Sequence, residues 1–247
     1  MEILKQHYLY GMHPILEALR TDKKIDKILI KKGLEGAQFD ELMELVKAKD
    51  VQVQFVPIER LTRVTKGSHQ GVVAVLSLVE HLLLEEMIDK ALAKSDSPIF
   101  VILDGVSDVR NFGAIARSVE CLGADGIILP AKGGARINSD AIKTSSGALL
   151  RLDTAKPQNL KIAIFQLKEK GFKIIGASEK ASEILYHADL KGPIAIVIGS
   201  EDKGISPSVI KECDELLQIP LKGEIGSLNV SVATSIVLYE ALKQRKS

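Results

Sequence analysis

Three stretches in the second half of the chain put polar groups and glycines directly behind apolar runs. The first is Leu103-Asp104-Gly105-Val106-Ser107-Asp108-Val109-Arg110-Asn111-Phe112-Gly113, with Arg117 six residues beyond Asn111. A carboxamide at Asn111 can cap a helix or hold a hydroxyl, a guanidinium at Arg117 can bind phosphate, and Gly113 lets another group approach the helix's first turn. The second, Ile198-Gly199-Ser200-Glu201-Asp202-Lys203-Gly204-Ile205-Ser206-Pro207, brackets an acidic pair with glycines. It lacks the phosphate-loop pattern and carries negative charge, so it suits a cationic or hydroxyl-rich ligand. The third runs from Ile219-Pro220 through Ser227-Leu228-Asn229 into an apolar helix. Glycines and small polar groups ahead of an apolar helix are what a ligand cleft needs. Each stretch also has a plain structural reading: a capped helix with an exposed Arg117, a loop with Ser206 as N-cap and Pro207 at the first helical position, and a loop before a capped helix.

These loops need a scaffold that brings chain ends together. Apolar runs predict strands at 99–103, 126–129, 173–176, 194–198 and 215–219. Helical spacing predicts helices at 111–122, 138–145, 159–170, 206–212 and 231–244. Alternation of this kind implies an open, mostly parallel α/β sheet, with ligands beyond the carboxyl ends of its strands. Upstream, a smaller α/β module is expected: a turn at 10–14, helical spacing over 15–19, a strand at 25–30, a helix at 39–49, a strand at 51–55, a short helix at 61–66 and a strand at 72–78. A helix at 80–94 precedes the break Ser95-Asp96-Ser97-Pro98. The expected organisation is a domain over 1–78, a linker over 79–97 and a second domain over 98–247.

Composition narrows the classes. The 247 residues are 46% hydrophobic and 26% charged, ordinary for a globular protein. No apolar run approaches the ~20 residues of a membrane span, and the N-terminus lacks the pattern of a signal peptide, so the cytoplasm is the expected compartment. Two cysteines, Cys121 and Cys213, support neither a disulfide framework nor a zinc site; both read as small buried hydrophobes. The histidines have no metal-ligand spacing, and no metal is expected. Net charge is only +1, so nucleic-acid binding must rest on local clusters such as Lys23, Lys24, Lys27, Lys31 and Lys32, whose other reading is a solvated face. Aromatic content of 4% disfavours a base-stacking platform. No Gly-x-Gly-x-x-Gly follows a strand, which argues against a dinucleotide-binding enzyme.

Together, Asn111/Gly113/Arg117, Gly199/Glu201/Gly204 and Ile219-Pro220 with Ser227-Leu228-Asn229-Val230-Ser231-Val232-Ala233 resemble the three motifs of the SpoU (TrmH-like) branch of the SPOUT RNA methyltransferases. Lys143-Thr144-Ser145-Ser146-Gly147-Ala148 is similar to a further family segment. Tyr10-Gly11-Met12-His13-Pro14-Ile15-Leu16-Glu17-Ala18 and His69-Gln70-Gly71-Val72 resemble the substrate-binding domain of one subgroup, which includes the enzyme that methylates a guanosine ribose of 23S rRNA. Val109 departs from the proline common in the family.

The resemblance implies a ribosomal-protein-like RNA-binding domain ahead of a trefoil-knotted α/β domain, a homodimer, S-adenosylmethionine as cofactor and methylation of a ribose 2′-hydroxyl. Alternatives within the family are a tRNA ribose methyltransferase and a non-catalytic RNA-binding member. The implied catalytic set is Arg117, Asn111, Glu201, Ser227 and Asn229; the implied cofactor contacts are Gly199, Ile219, Leu228, Ser227 and Ala177. Ile219 and Leu228 would form an apolar slot for adenine, Gly199 would leave room for the ribose, and Glu201 would hydrogen-bond within the site or across the dimer. Because a guanidinium is effectively always protonated, Arg117 is expected to stabilise phosphate and the developing alkoxide rather than act as a base.

Overall fold

The computed structural model describes residues 8–21, 23–49, 51–77 and 79–246. The chain divides into two compact units, one ending at Glu80 and one beginning at His81.

The first unit contains β1 (Tyr8–Tyr10), α1 (Met12–Arg20), β2 (Ile25–Lys31), α2 (Ala37–Ala48), β3 (Gln52–Val56), α3 (Ile58–Val64) and β4 (Val72–Leu76). Its sheet has the order β1-β4-β2-β3, with β2 and β3 parallel and the other pairs antiparallel. Alternation along β2 and β4 sends Ile28, Ile30, Val72 and Ala74 to one face, where Ile15, Leu16 and Leu19 of α1 and Leu42 and Val46 of α2 bury them. Leu29, Val56 and Val73 face the other way, under Leu61 of α3. The stretch 10–14, expected as a turn, is already helical from Met12. Pro14 fits there because the first helical turn needs no N–H donor from it. Gly11 makes the entry at φ 93°, and the Met12 N–H donates to Oε1 of Gln70 at 2.9 Å. The strand expected at 72–78 ends at Leu76; Leu78 lies outside the described residues.

The second unit continues with α4 (Leu84–Lys94), β5 (Ile99–Asp104), α5 (Val109–Cys121), β6 (Gly126–Ile128), α6 (Ser139–Thr144), β7 (Asp153–Ala155), α7 (Leu160–Glu169), β8 (Lys173–Ala177), β9 (Glu183–Ile184), β10 (Ile194–Gly199), α8 (Pro207–Ile210), β11 (Glu215–Gln218) and α9 (Val230–Lys246). The stretch 79–97, expected as a linker, is mostly α4. Leu84, Met87, Ile88 and Ala91 are buried in the second unit's core beside Phe100, Ile102 and Ile128. The helix expected at 80–94 is thus present from Leu84, and its apolar stripe is buried within the second unit.

The sheet has seven strands in the order β7-β6-β5-β10-β8-β11-β9, and every neighbouring pair is parallel. β5 and β10 lie side by side near its centre, and Ile99 to Leu103 and Ile194 to Ile198 are all buried, as runs apolar on both faces require. β7 and β9, with three and two residues, are too short to leave a periodic signal. Because the strands run in one direction, the loops leaving β5, β8, β10 and β11 share one edge of the sheet. At the opposite end of α9, the Arg245 guanidinium donates to three carbonyls, those of Leu190, Ser97 and Gly192, at 3.0, 2.6 and 2.6 Å. Burial pulls its pKa down from the usual arginine value. Cys121 corrects the expectation of a buried thiol: it is exposed in the last turn of α5, whereas Cys213 packs against the core. Among the described residues, no helix is long and apolar enough to cross a membrane.

Candidate active site

The loop after β5 enters α5 through Asp108, whose Oδ1 accepts from the backbone N–H of Asn111 at 2.8 Å. Asp108, not Asn111, is therefore the N-cap, an equally good capping residue three positions earlier. Released from capping, the Asn111 carboxamide is available to other groups. What approaches Gly113 is α6: a Cβ there would lie 2.6 Å from Thr144 Cβ and 3.0 Å from the Ala141 carbonyl. The glycine thus sets the α5–α6 distance, and the family-like segment around Thr144 is its packing partner.

After β10 the backbone makes a tight turn. The Ser200 N–H donates to Gly204 O at 3.1 Å, the Gly204 N–H donates back to Ser200 O at 2.9 Å, and Gly204 stands at φ 67°. A Cβ on Gly199 would meet Gly204 C and Ile205 N at 2.1 Å. The space at Gly199 is accordingly filled by the returning loop, which corrects the expectation that it leaves room for a ribose. Asp104, at the end of β5, accepts the Ser206 N–H at 2.7 Å and ties this turn to the neighbouring strand. Ser206 and Pro207 occupy the cap and first helical positions as expected. The turn holds Glu201 at its tip.

Asn229 immediately precedes α9. Its Oδ1 accepts from the Ser231 N–H at 3.0 Å and from Ser231 Oγ at 2.6 Å, as an N-cap side chain does. That fixes the amide orientation and turns Nδ2 toward the other two loops. Asn229 Nδ2 donates to Asn111 Oδ1 at 3.0 Å and to Glu201 Oε1 at 3.2 Å, and Asn111 Nδ2 donates to Glu201 Oε2 at 3.0 Å. Three side chains separated by 90 and 28 positions along the chain close one ring of hydrogen bonds. Both carboxylate oxygens of Glu201 are engaged, so it acts as the ring's double acceptor.

Beside Asn229 opens a solvent-open cleft lined by Ala177, Ser178 and Glu179 at the end of β8, by Leu217, Ile219 and Leu221 around the end of β11, and by Ser227, Leu228 and Ala233. Ile219, Leu228, Ser227 and Ala177 are thus brought together, while Gly199 is not among the lining residues. Leucines and alanines around a few polar groups suit a flat heteroaromatic ring with a polar tail. The sequence reading passed over Ser178, Glu179, Leu217, Leu221 and Ala233. A signal for the first two existed, because they follow a strand of the same parallel sheet.

Arg117 is not part of the ring. Six residues at ~100° each put it ~240° around α5 from Asn111, where it is exposed and has no hydrogen bond or ion pair among the described residues. The neighbouring Ser118 instead joins α5 to α9 through Ser235, Oγ to Oγ 2.7 Å. Among the described residues there is no cluster of histidine, cysteine and acidic side chains able to hold a metal. In the first unit His13 pairs with Gln38 and His69 Nδ1 accepts the Gly71 N–H, both local contacts. Lys23, Lys24 and Lys32 are exposed, while Lys27 and Lys31 lie half-buried along β2.

Comparison with known proteins identifies the family. Residues 98–239 match the model of the SpoU rRNA Methylase family, and residues 8–82 match the RNA 2′-O ribose methyltransferase substrate-binding domain. The 23S rRNA (guanosine-2′-O-)-methyltransferase RlmB of Shewanella oneidensis is 36% identical over 98% of this chain and 99% of its own length. YacO of Bacillus subtilis, which bears a TrmH-family name, is 34% identical over 98% and 97%. In fold, the SpoU methyltransferase AviRb of Streptomyces viridochromogenes, solved with AdoMet, superposes with a TM-score of 0.63 at 23% identity, covering 98% of this chain and 91% of that one. With the second unit matched by one family model and the first by its partner domain, the chain belongs to the SpoU family of RNA 2′-O-ribose methyltransferases.

Proposed function

We propose that the protein methylates the 2′-hydroxyl of a guanosine ribose in 23S rRNA, using S-adenosylmethionine held in the cleft between the loops after β8 and β11. The observation that carries this reading is the Asn111–Glu201–Asn229 ring, which joins three loops at the carboxyl edge of the sheet and borders the cleft through Leu228. The cleft fits the cofactor: Ile219, Leu221 and Leu228 offer apolar surface to an adenine ring, and Ser178, Glu179 and Ser227 offer polar groups to the remainder. When bound, the cofactor supplies a methyl group made electrophilic by its sulfonium.

The chain's own residues supply position. A ribose hydroxyl is a weak nucleophile, so its oxygen must be held in line with the methyl at about 3–3.5 Å. The ring rigidifies the loops that do this, and Ser227 contacts cofactor or ribose from the cleft wall. The proton of the ribose hydroxyl would leave to an RNA phosphate or to water. Arg117, exposed and unpaired within the described residues, neutralises that phosphate and the developing alkoxide. A homodimer, as the family resemblance implies, would bring a second copy's groups to the same edge. The match to the SpoU rRNA Methylase family and the RlmB likeness favour ribosomal RNA over tRNA.

Mass-spectrometric mapping of 2′-O-methyl groups in RNA from cells with and without the gene tests the assignment. Loss of one methylated guanosine from 23S rRNA is expected. Loss confined to tRNA would transfer the activity to the alternative substrate, and no loss in any RNA would leave the non-catalytic reading.

A further inference from the structure

Among the residues lining the cleft, one carries a charge. Glu179 sits there among six aliphatic side chains and two serines. It stands in a turn that the fold holds firmly: the Ser178 N–H donates to Leu217 O at 3.0 Å, the Ala181 N–H to Ser178 O at 3.3 Å, and the Lys180 N–H to Ser178 Oγ at 3.2 Å. The turn is anchored to β11 while the Glu179 side chain is exposed, with no hydrogen bond or salt bridge among the described residues. An unpaired carboxylate beside apolar walls acts at longer range than one in open water, because low-dielectric surfaces focus its field.

We propose that Glu179 makes the cleft selective for the charged methyl donor over the uncharged-sulfur product. S-Adenosylmethionine and S-adenosylhomocysteine share adenine, ribose, ammonium and carboxylate; they differ by the methyl group and its sulfonium charge. A carboxylate on the cleft wall favours the sulfonium form and loses that advantage once the methyl has left, so the spent cofactor departs more readily. The inference rests on the placement of the cofactor proposed above.

Titration calorimetry on the full-length protein separates the two. In wild type and Glu179→Gln, affinities for S-adenosylmethionine and S-adenosylhomocysteine are measured at low and high salt. Glu179→Gln is expected to weaken the methyl donor about fivefold (~1 kcal/mol) and leave the product unchanged. The wild-type preference should shrink as sodium chloride rises from roughly 0.05 to 0.5 M, since exposed charges are screened. Equal loss for both ligands would assign Glu179 to a group they share and overturn the selectivity, and no loss for either would remove Glu179 from binding. A cleft-filling Ala233→Phe variant, checked for an unchanged melting temperature, should abolish binding of both. If it binds both normally, the placement of the cofactor fails, independently of Glu179.

Discussion

Replacing Glu201 by Gln changes almost nothing in shape and reverses the polarity of one of two hydrogen bonds. Glu201 accepts Asn111 Nδ2 at one oxygen and Asn229 Nδ2 at the other. In the variant one of those positions is an NH2 group facing an NH2 group. Neither asparagine can turn over to compensate: Asn111 Oδ1 already accepts from Asn229, and Asn229 Oδ1 holds the Ser231 N–H and hydroxyl. A hydrogen bond to a charged group contributes ~1.5–3 kcal/mol; Glu201 and Asn229 are exposed and Asn111 is half-buried, so solvent competition reduces this to ~1 kcal/mol at most for each. Losing one bond and setting two donors face to face costs ~1–2 kcal/mol in all, or about a 5–30-fold fall in kcat/KM for methyl transfer from labelled S-adenosylmethionine to a 23S rRNA transcript. At about 2–4 °C per kcal/mol for a unit of this size, the melting temperature should fall by about 2–8 °C. Glu201→Asp, which keeps the charge but is one methylene shorter, should be similarly impaired. A Gln variant retaining more than half of wild-type kcat/KM would refute the claim that this carboxylate orders the site.

Other outcomes follow from the packing. Gly113→Ala places a methyl 2.6 Å from Thr144 Cβ, and overpacking of that kind costs ~1–3 kcal/mol; calorimetry should show a lowered melting temperature that Thr144→Gly partly restores. Arg245→Met removes donors from the three carbonyls of Ser97, Leu190 and Gly192, and a loss of ~2–3 kcal/mol should lower the second unit's melting temperature by about 4–12 °C. Burial pushes the Cys213 thiol up to about 11, from the 9.0 of an unburied thiol. The unfolded chain therefore loses this proton first as pH rises, and the stabilisation, complete below about pH 9, disappears through about pH 11. After allowance for solvent screening the effect is ~1–2 kcal/mol, visible in urea titrations as a decline between those values that Cys213→Ala lacks. At about pH 8 an alkylating reagent should modify the exposed Cys121 well before Cys213.

Much of the catalytic domain was legible in the chain. The strands 99–103 and 194–198 are unbroken apolar runs rich in β-branched residues, as strands of a doubly covered parallel sheet are, and the structure reproduces them to within a residue. Weaker signals went astray where local chemistry admits two answers. Asp108 and Asn111 are both good N-caps, and nothing in the sequence says which one the helix uses. The 79–97 stretch carries an apolar stripe, but its Ser and Pro boundary reads as a linker until a core appears beneath it.

Residue types and order alone determined that Asn111, Glu201 and Asn229 stand at strand-to-helix junctions, since apolar periodicity and turn residues are local properties. Their meeting was decided by the strand order β5-β10-β8-β11, which sets the exits of distant strands side by side. The fold likewise settled that Gly113 and Gly199 accommodate the protein's own backbone and side chains, and left Arg117 outside the ring. Close approach between segments far apart in sequence depends on which surfaces must be buried together, and no local pattern encodes it.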